Sequence, residues 1–217
     1  MRTITQAVRE ILLTSDVAQE ALSMQILNLS AYAKHIQPEV EKLTWKEVKP
    51  GTITVALFRL QSEFGKLSLL RPQVKIDTLS IQTDLVDLSF EKTEVLLSRI
   101  PTLHTTLLHT PRTVFVQTVG MHEVTYIASR GLQDGIISHL GQPVKSIHEN
   151  LVGISMGFDD SYLLVPNTIY TLISSVASKR INIIEIVSTL TELMVVVDQK
   201  DREACVKALE PHFQPTS

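Results

Sequence analysis

Apolar positions along the first 65 residues recur at helical spacing. Ile4, Val8, Ile11 and Leu12 form one stripe. Asp16, with Gln19 three residues on, reads as the start of a second helix. Ser30 stands where it caps a third helix carrying Ala31, Ala33 and Ile36, and Pro38 opens a short fourth through Leu43. Pro50-Gly51 predicts a turn. After it Ile53, Ala56, Leu57, Leu60 and Phe64 fall at i, i+3, i+4, i+7 and i+11, which predicts an amphipathic helix from Thr52 to Glu63, ended by Gly65.

From about residue 74 the period shortens toward two. Val74, Ile76, Leu79 and Ile81 make one alternation, and Val86, Leu88 and Phe90 a second. Thr93 is placed to cap a helix carrying Val95, Leu96, Arg99 and Ile100. Thr113 to Val119 and Glu123 to Ala128 read as strands joined by a turn at Gly120-Met121. Gly131 to Leu140 reads as a helix ended by Gly141, and Pro143 to His148 as a returning strand. The order then repeats. Leu151 to Phe158 is a strand, and Ile169, Leu172, Ile173, Val176 and Ala177 give a helical stripe. Ile181 to Ser188 and Leu193 to Asp198 are strands, and Arg202 to about Glu210 is a helix limited by Pro211. The repeat is one of element order, strand, helix, strand, strand, helix, across 85–148 and 151–213, with hardly any repeated residues. Each unit is too small to bury both helices and sheet alone, so the two are expected to pair side by side.

Composition narrows the class. The hydrophobic share of 44% and the charged share of 20% are those of a chain with a core. The net charge of −3 exerts no general pull toward nucleic acid or anionic lipid. Residues 1–72 hold nine Lys/Arg against seven Asp/Glu and the remainder eleven against sixteen, a contrast that supports a boundary near 72. The lone cysteine, Cys205, is expected to be an inert core thiol. The N-terminus shows no signal-peptide core, and no apolar run approaches the ~20 residues of a membrane helix. A soluble, cytoplasmic protein without membrane contact is expected.

The stretch Asn167 to Thr189 carries a resemblance. The run Ile181-Asn182-Ile183 followed by Ile186-Val187-Ser188-Thr189 is similar to the second strand of the ACT domain at the C-terminus of aspartate kinases, where an Asn-Ile pair opens the strand and a Ser/Thr pair ends it. Leu193–Asp198 and Lys200–Leu209 resemble its third strand and closing helix, and 85–148 fits a preceding ACT module by element order. The resemblance implies two ferredoxin-like βαββαβ modules at 73–150 and 151–217; with the small helical N-terminal domain that periodicity gives outside it (1–72, with a helix-turn-helix-like reading open), the fold class is α+β. The resemblance also implies a non-catalytic regulatory protein that binds a small ligand, an amino acid by family habit, and that assembles as a homo-oligomer through the modules. Three departures accompany it. The kinase catalytic domain is absent. The last module is expected to lack a closing edge strand, since the chain runs out at Pro215–Ser217. The loop Asp159–Pro166 is longer than the short turn usual before the first helix.

In such modules the ligand lies between the first strand and the start of the first helix, where free N–H groups and the positive end of the helix dipole suit a carboxylate. That implicates Asn167 and Thr168 at the helix start, Asn182 with Ile183 across from it, and Asp159 or Asp160 as partner of an α-ammonium. Each has a plain structural reading too: Asn167 as a cap, Asn182 as a turn residue, Asp159-Asp160 as a solvated loop. Chemistry of other kinds lacks its motifs. The histidines, at 35, 104, 109, 122, 139, 148 and 212, are dispersed, so no metal and no cofactor is indicated. No Gly-x-Ser-x-Gly element or Gly-rich phosphate loop occurs, so no catalytic residue is assigned. For the N-terminal helices two readings stand: a DNA-binding face on the last helix, from Thr54, Arg59, Gln61, Ser62 and Lys66, or a module for packing and dimerisation. The alternatives to a ligand-binding regulator are thus a ligand-responsive DNA-binding regulator and a scaffold whose paired modules dimerise without ligand.

Overall fold

The computed structural model describes residues 2–65, 71–107 and 113–214. Lys66 and Pro215–Ser217 lie outside them. The chain divides into two compact units, Met1–Pro72 and Gln73–Ser217.

Among the described residues the first unit is four helices, α1 (Ile4–Leu13), α2 (Asp16–Ser23), α3 (Leu29–Thr44) and α4 (Pro50–Phe64). Their apolar stripes meet in a core that includes Val8, Leu12, Leu22, Ile36, Val40, Ile53 and Leu57. Thr3 and Gln6 close a capping box on α1, and Ser15 rather than Asp16 caps α2. The two short helices expected around Pro38 are one helix capped by Asn28, whose side chain accepts the Ala31 N–H at 3.0 Å. Pro38 removes one N–H from the ladder, but it is exposed, and the stripe Ala33, Ile36, Val40, Thr44 runs past it into the core and holds the helix straight through. Pro50 is the first residue of α4 and not the corner of a turn; its fixed φ suits a helix start.

Among the described residues the second unit is one antiparallel sheet with four α-helices. Its strands are β1 (Thr78–Glu91), β2 (Phe115–Val119), β3 (Glu123–Ser129), β4 (Ser146–Gly157), β5 (Ile183–Ser188) and β6 (Glu192–Asp198). The order across the sheet is β2-β3-β1-β4-β6-β5. Helices α5 (Glu94–Leu107) and α6 (Gln133–Leu140) pack Leu96, Leu103, Ile136 and Leu140 on Val86, Leu88, Phe90, Val124 and Tyr126. Helices α7 (Thr168–Ala177) and α8 (Arg202–Leu209) pack Leu172, Val176, Cys205 and Leu209 on Val152, Ile154, Leu193, Val195 and Val197. The α+β fold with two helix-covered modules is therefore the one expected.

The two central strands join the modules. The later part of the first sequence alternation, Leu79 and Ile81, and all of the second, at 86–90, belong to one strand: β1 runs through both, with Asp84 at φ 59° and a register shift between Gln82 and Leu85. Likewise the strands expected at 143–148 and 151–158 are one strand, β4, with Asn150 at φ 57°. Each left-handed residue is a bulge that resets which face the following side chains point to. The second half of β1 pairs with β3, while its first half, Thr78–Gln82, pairs with the end of β4, Gly153–Gly157. That first half lies beside β4 as the edge strand of the second module. Ahead of it, Ile76 bridges in parallel to Phe213.

Candidate functional site

The passage from β4 into α7 holds a hollow of about 350 Å³. Phe158 ends the strand side and gives its N–H to the Thr191 carbonyl at 3.0 Å. The longer loop is a 3-10 turn, Asp160–Leu164. Asp159 caps it by accepting the Ser161 N–H at 2.9 Å, and hydrogen bonding from the Ser161 side chain first, and from this N–H second, holds its carboxyl below the ordinary carboxylate value. Tyr162 stands edge-on to Phe158, ring centroids 6.4 Å apart, and its hydroxyl accepts the Lys75 N–H at 3.0 Å. The turn thus becomes a wall of the hollow.

α7 begins at the floor. Asn167 precedes it in the left-handed region, φ 68°, and its side chain makes no cap hydrogen bond. Thr168 is buried and donates its hydroxyl to the Val165 carbonyl at 3.0 Å. The first N–H groups of a helix have no acceptor within it, and the start of α7 lines the hollow with Asn167, Thr168 and Ile169. The far wall is Ser188, Thr189 and Leu190, where β5 turns into β6.

Of the residues implicated from sequence, Asn167 and Thr168 line this hollow. Asp159 and Asp160 sit exposed in the turn outside its lining. Asn182 and Ile183 stand at the opposite end of β5. The reason is directional: α7 carries the chain away from the site and β5 brings it back, so the end of β5 and not its start returns to the helix N-terminus. Tyr162, Leu163, Val165 and Ile169 line the hollow as well. Their signal in the sequence was the unusual loop itself, which is apolar over Tyr162–Val165 where a solvated loop is polar.

The matching passage of the first module, from β1 into α5, is built otherwise. Thr93 accepts the Leu96 N–H at 3.1 Å and donates to the Gln142 side chain at 2.6 Å; Gln142 in turn donates to the Glu91 carbonyl at 2.7 Å. The hollow beside it, about 850 Å³, is lined by Glu91, His122 and Lys145 among others. Lys145 pairs with Glu123 at 2.7 Å, lowering the carboxyl and raising the ammonium relative to their ordinary values.

On the face of the sheet away from the helices lie Leu85, Ile127, Leu151, Met194 and Val196. Asp87 shares that face and is 3% exposed. Burial pushes its carboxyl up, against the lowering effect of His148 and Ser89. Glu185 on β5 is raised by burial and then by the charges of Asp87 and Glu123. Glu185 and Asp87 are three strands apart in the sheet order, so their interaction requires the sheet to curl.

Cys205 is fully buried, with its thiol pushed up to about 11 by burial first and Asp201 second, which leaves it unreactive. Among the described residues no cluster of three or more His, Cys, Asp or Glu is arranged to hold a metal ion, and no helix is long and apolar enough to cross a membrane. On α4, Arg59 and Ser62 face outward as expected, but so do Val55 and Phe58, while Thr54 and Gln61 are half-buried.

No family model matches the chain, and no curated protein matches it in sequence. Solved structures match it in fold. The aspartate kinase of Clostridium acetobutylicum, described as an allosteric enzyme, aligns over 66% of this chain and 36% of its own, with 16% identity and a TM-score of 0.54. The aspartate kinase of Synechocystis aligns over 70% of this chain and 29% of its own, with 11% identity and a TM-score of 0.54. The regulatory subunit of aspartate kinase from Thermus thermophilus, in a ligand-free form, aligns over 64% of this chain and 99% of its own, with 12% identity and a TM-score of 0.51. The chain thus spans about a third of the whole kinases and nearly all of the separate regulatory subunit. At such identities the likeness is one of fold.

Proposed function

We propose that residues 73–217 form a non-catalytic regulatory unit that binds a small ligand, an amino acid, at the β4–α7 passage. The observation that carries this is the hollow of about 350 Å³ at the N-terminus of a ten-residue helix, with the Asn167 side chain unused by the cap. The helix N-terminus suits the α-carboxylate. The Asn167 amide and the hydroxyls of Ser188 and Thr189 offer acceptors to the α-ammonium. The fold shared with an aspartate kinase regulatory subunit supports the regulatory part of the reading. Ligand binding would act through two arrangements of the modules, or of two copies paired through the open edges β2 and β5, to which it has unequal affinity. For residues 1–72 the exposed Val55 and Phe58 beside Arg59 favour a packing surface over a phosphate-binding one.

A thermal-shift screen of the full chain against the twenty amino acids tests this. A ligand at a hundredfold excess over its Kd adds about 2.7 kcal/mol to the native state. The expected result is a selective rise with one amino acid or a related few, lost in Asn167→Ala. A flat response up to several millimolar sinks the reading.

A further inference from the structure

The two strand-to-helix passages are equivalent in topology and opposite in chemistry. The first-module hollow carries Glu91, His122 and Lys145 in its lining. Among the described residues the second-module hollow has no Asp, Glu, Lys, Arg or His in its lining; Phe158, Tyr162, Leu163, Val165, Ile169 and Leu190 supply most of its wall. The nearest acid in sequence, Asp159, is committed to the Ser161 N–H. The inserted turn is what makes the difference, because it lays Tyr162 and Leu163 against the helix start. The apolar wall reaches into water: Leu163, in the lining, is 51% exposed, Leu190, also in the lining, 68%, and Leu164 beside them 90%. Side chains of that size left open at a cavity mark a place where a ligand completes the apolar contact. A charged side chain lying against that wall would give up part of its hydration and meet no opposite charge among the described lining residues.

Resting on the ligand reading above, we infer that this site takes an amino acid with an apolar side chain, branched aliphatic or aromatic, and rejects lysine, arginine, aspartate and glutamate. The α-carboxylate lies on the helix start and the side chain lies between Leu163 and Leu190, which set the specificity. Leu163 and Leu190 are exposed in the free protein, so substitutions there leave the fold intact.

The experiment is isothermal titration of the full chain with leucine, isoleucine, valine, phenylalanine and methionine, and in parallel with the four charged amino acids. Binding is expected from at least one of the apolar set, at least about thirtyfold tighter than any charged one, since a pocket gains roughly tenfold or more per buried methylene. Leu163→Asp is expected to weaken that ligand at least about tenfold without moving the melting temperature of the free protein, and Leu163→Met to restore it. Binding of a charged amino acid in preference overturns the apolar specificity and leaves the small-ligand reading standing. Unchanged affinity in Leu163→Asp overturns the placement of the side chain. Absence of binding by every amino acid overturns both readings together.

Discussion

At the scale of residues, a few positions hold unusual states for identifiable reasons, and each predicts a measurable effect. Asp87 is a buried carboxyl raised above its ordinary 3.8, by burial first, with Glu123 adding to it. The folded chain binds that proton more tightly than the unfolded one, so Asp87 costs stability as pH rises through its ordinary value and its raised one. Asp87→Asn is expected to raise the melting temperature at pH 8 and to have a smaller effect near pH 4; equal effects at both, in thermal melts across that range, would contradict it. Gly141 ends α6 at φ 55°, and the Arg99 guanidinium, donating to the Leu140 carbonyl at 2.6 Å, occupies the space a Cβ would take. Gly141→Ala is expected to cost at least ~1–2 kcal/mol from the left-handed conformation alone, read by denaturant melts. Gly141 was legible in the sequence as a helix stop because glycine is the usual residue there. Asn167 was legible only by type: the chain shows an Asn before a helix, but not that its side chain declines the cap.

At the scale of elements, periodicity located the helices and strands but not where a strand continues through a bulge. The two alternations in β1 look like two strands because Asp84 shifts the pattern by the residue that a bulge consumes. The same holds for β4 at Asn150. Asp and Asn are among the residues that tolerate positive φ, so the types fit, yet nothing in a single chain distinguishes a bulge from a turn at such a position. Asp84→Val is expected to lower stability by ~1–3 kcal/mol, and Asp84→Gly to leave it unchanged or slightly raised, measured by chemical denaturation. A harmless Asp84→Val would show that the bulge relaxes. The candidate site suffered from the same limit in another form. The stretch Tyr162–Val165 was visible as a long loop, but its role as a wall depends on Tyr162 stacking edge-on to Phe158, a contact that spacing does not encode.

At the scale of the whole second unit, the two modules cannot be separated. The core under α7 and α8 includes Val74 and Ile76, which lie ahead of β1 in the chain, and its edge is the first half of β1. Residues 73–217 are expected to melt in one transition, followed by circular dichroism. A chain beginning at Leu85 would strip that edge and uncover the end of β4, with its apolar residues Ile154 and Met156, and is expected to be insoluble or molten. Two resolved transitions in the 73–217 chain would argue that each module stands alone.

The shared strand also has a consequence in time. Leu79 meets its partner Met156 only after the ribosome has added roughly 80 further residues, about 4–16 s at ~5–20 residues per second. Until then the apolar positions at the start of β1 have no partner strand, and Ile76 waits longer still, for Phe213. The newborn chain therefore carries an unpaired half-strand until Gly153–Gly157 follow it out, a natural client for whatever shields nascent polypeptides.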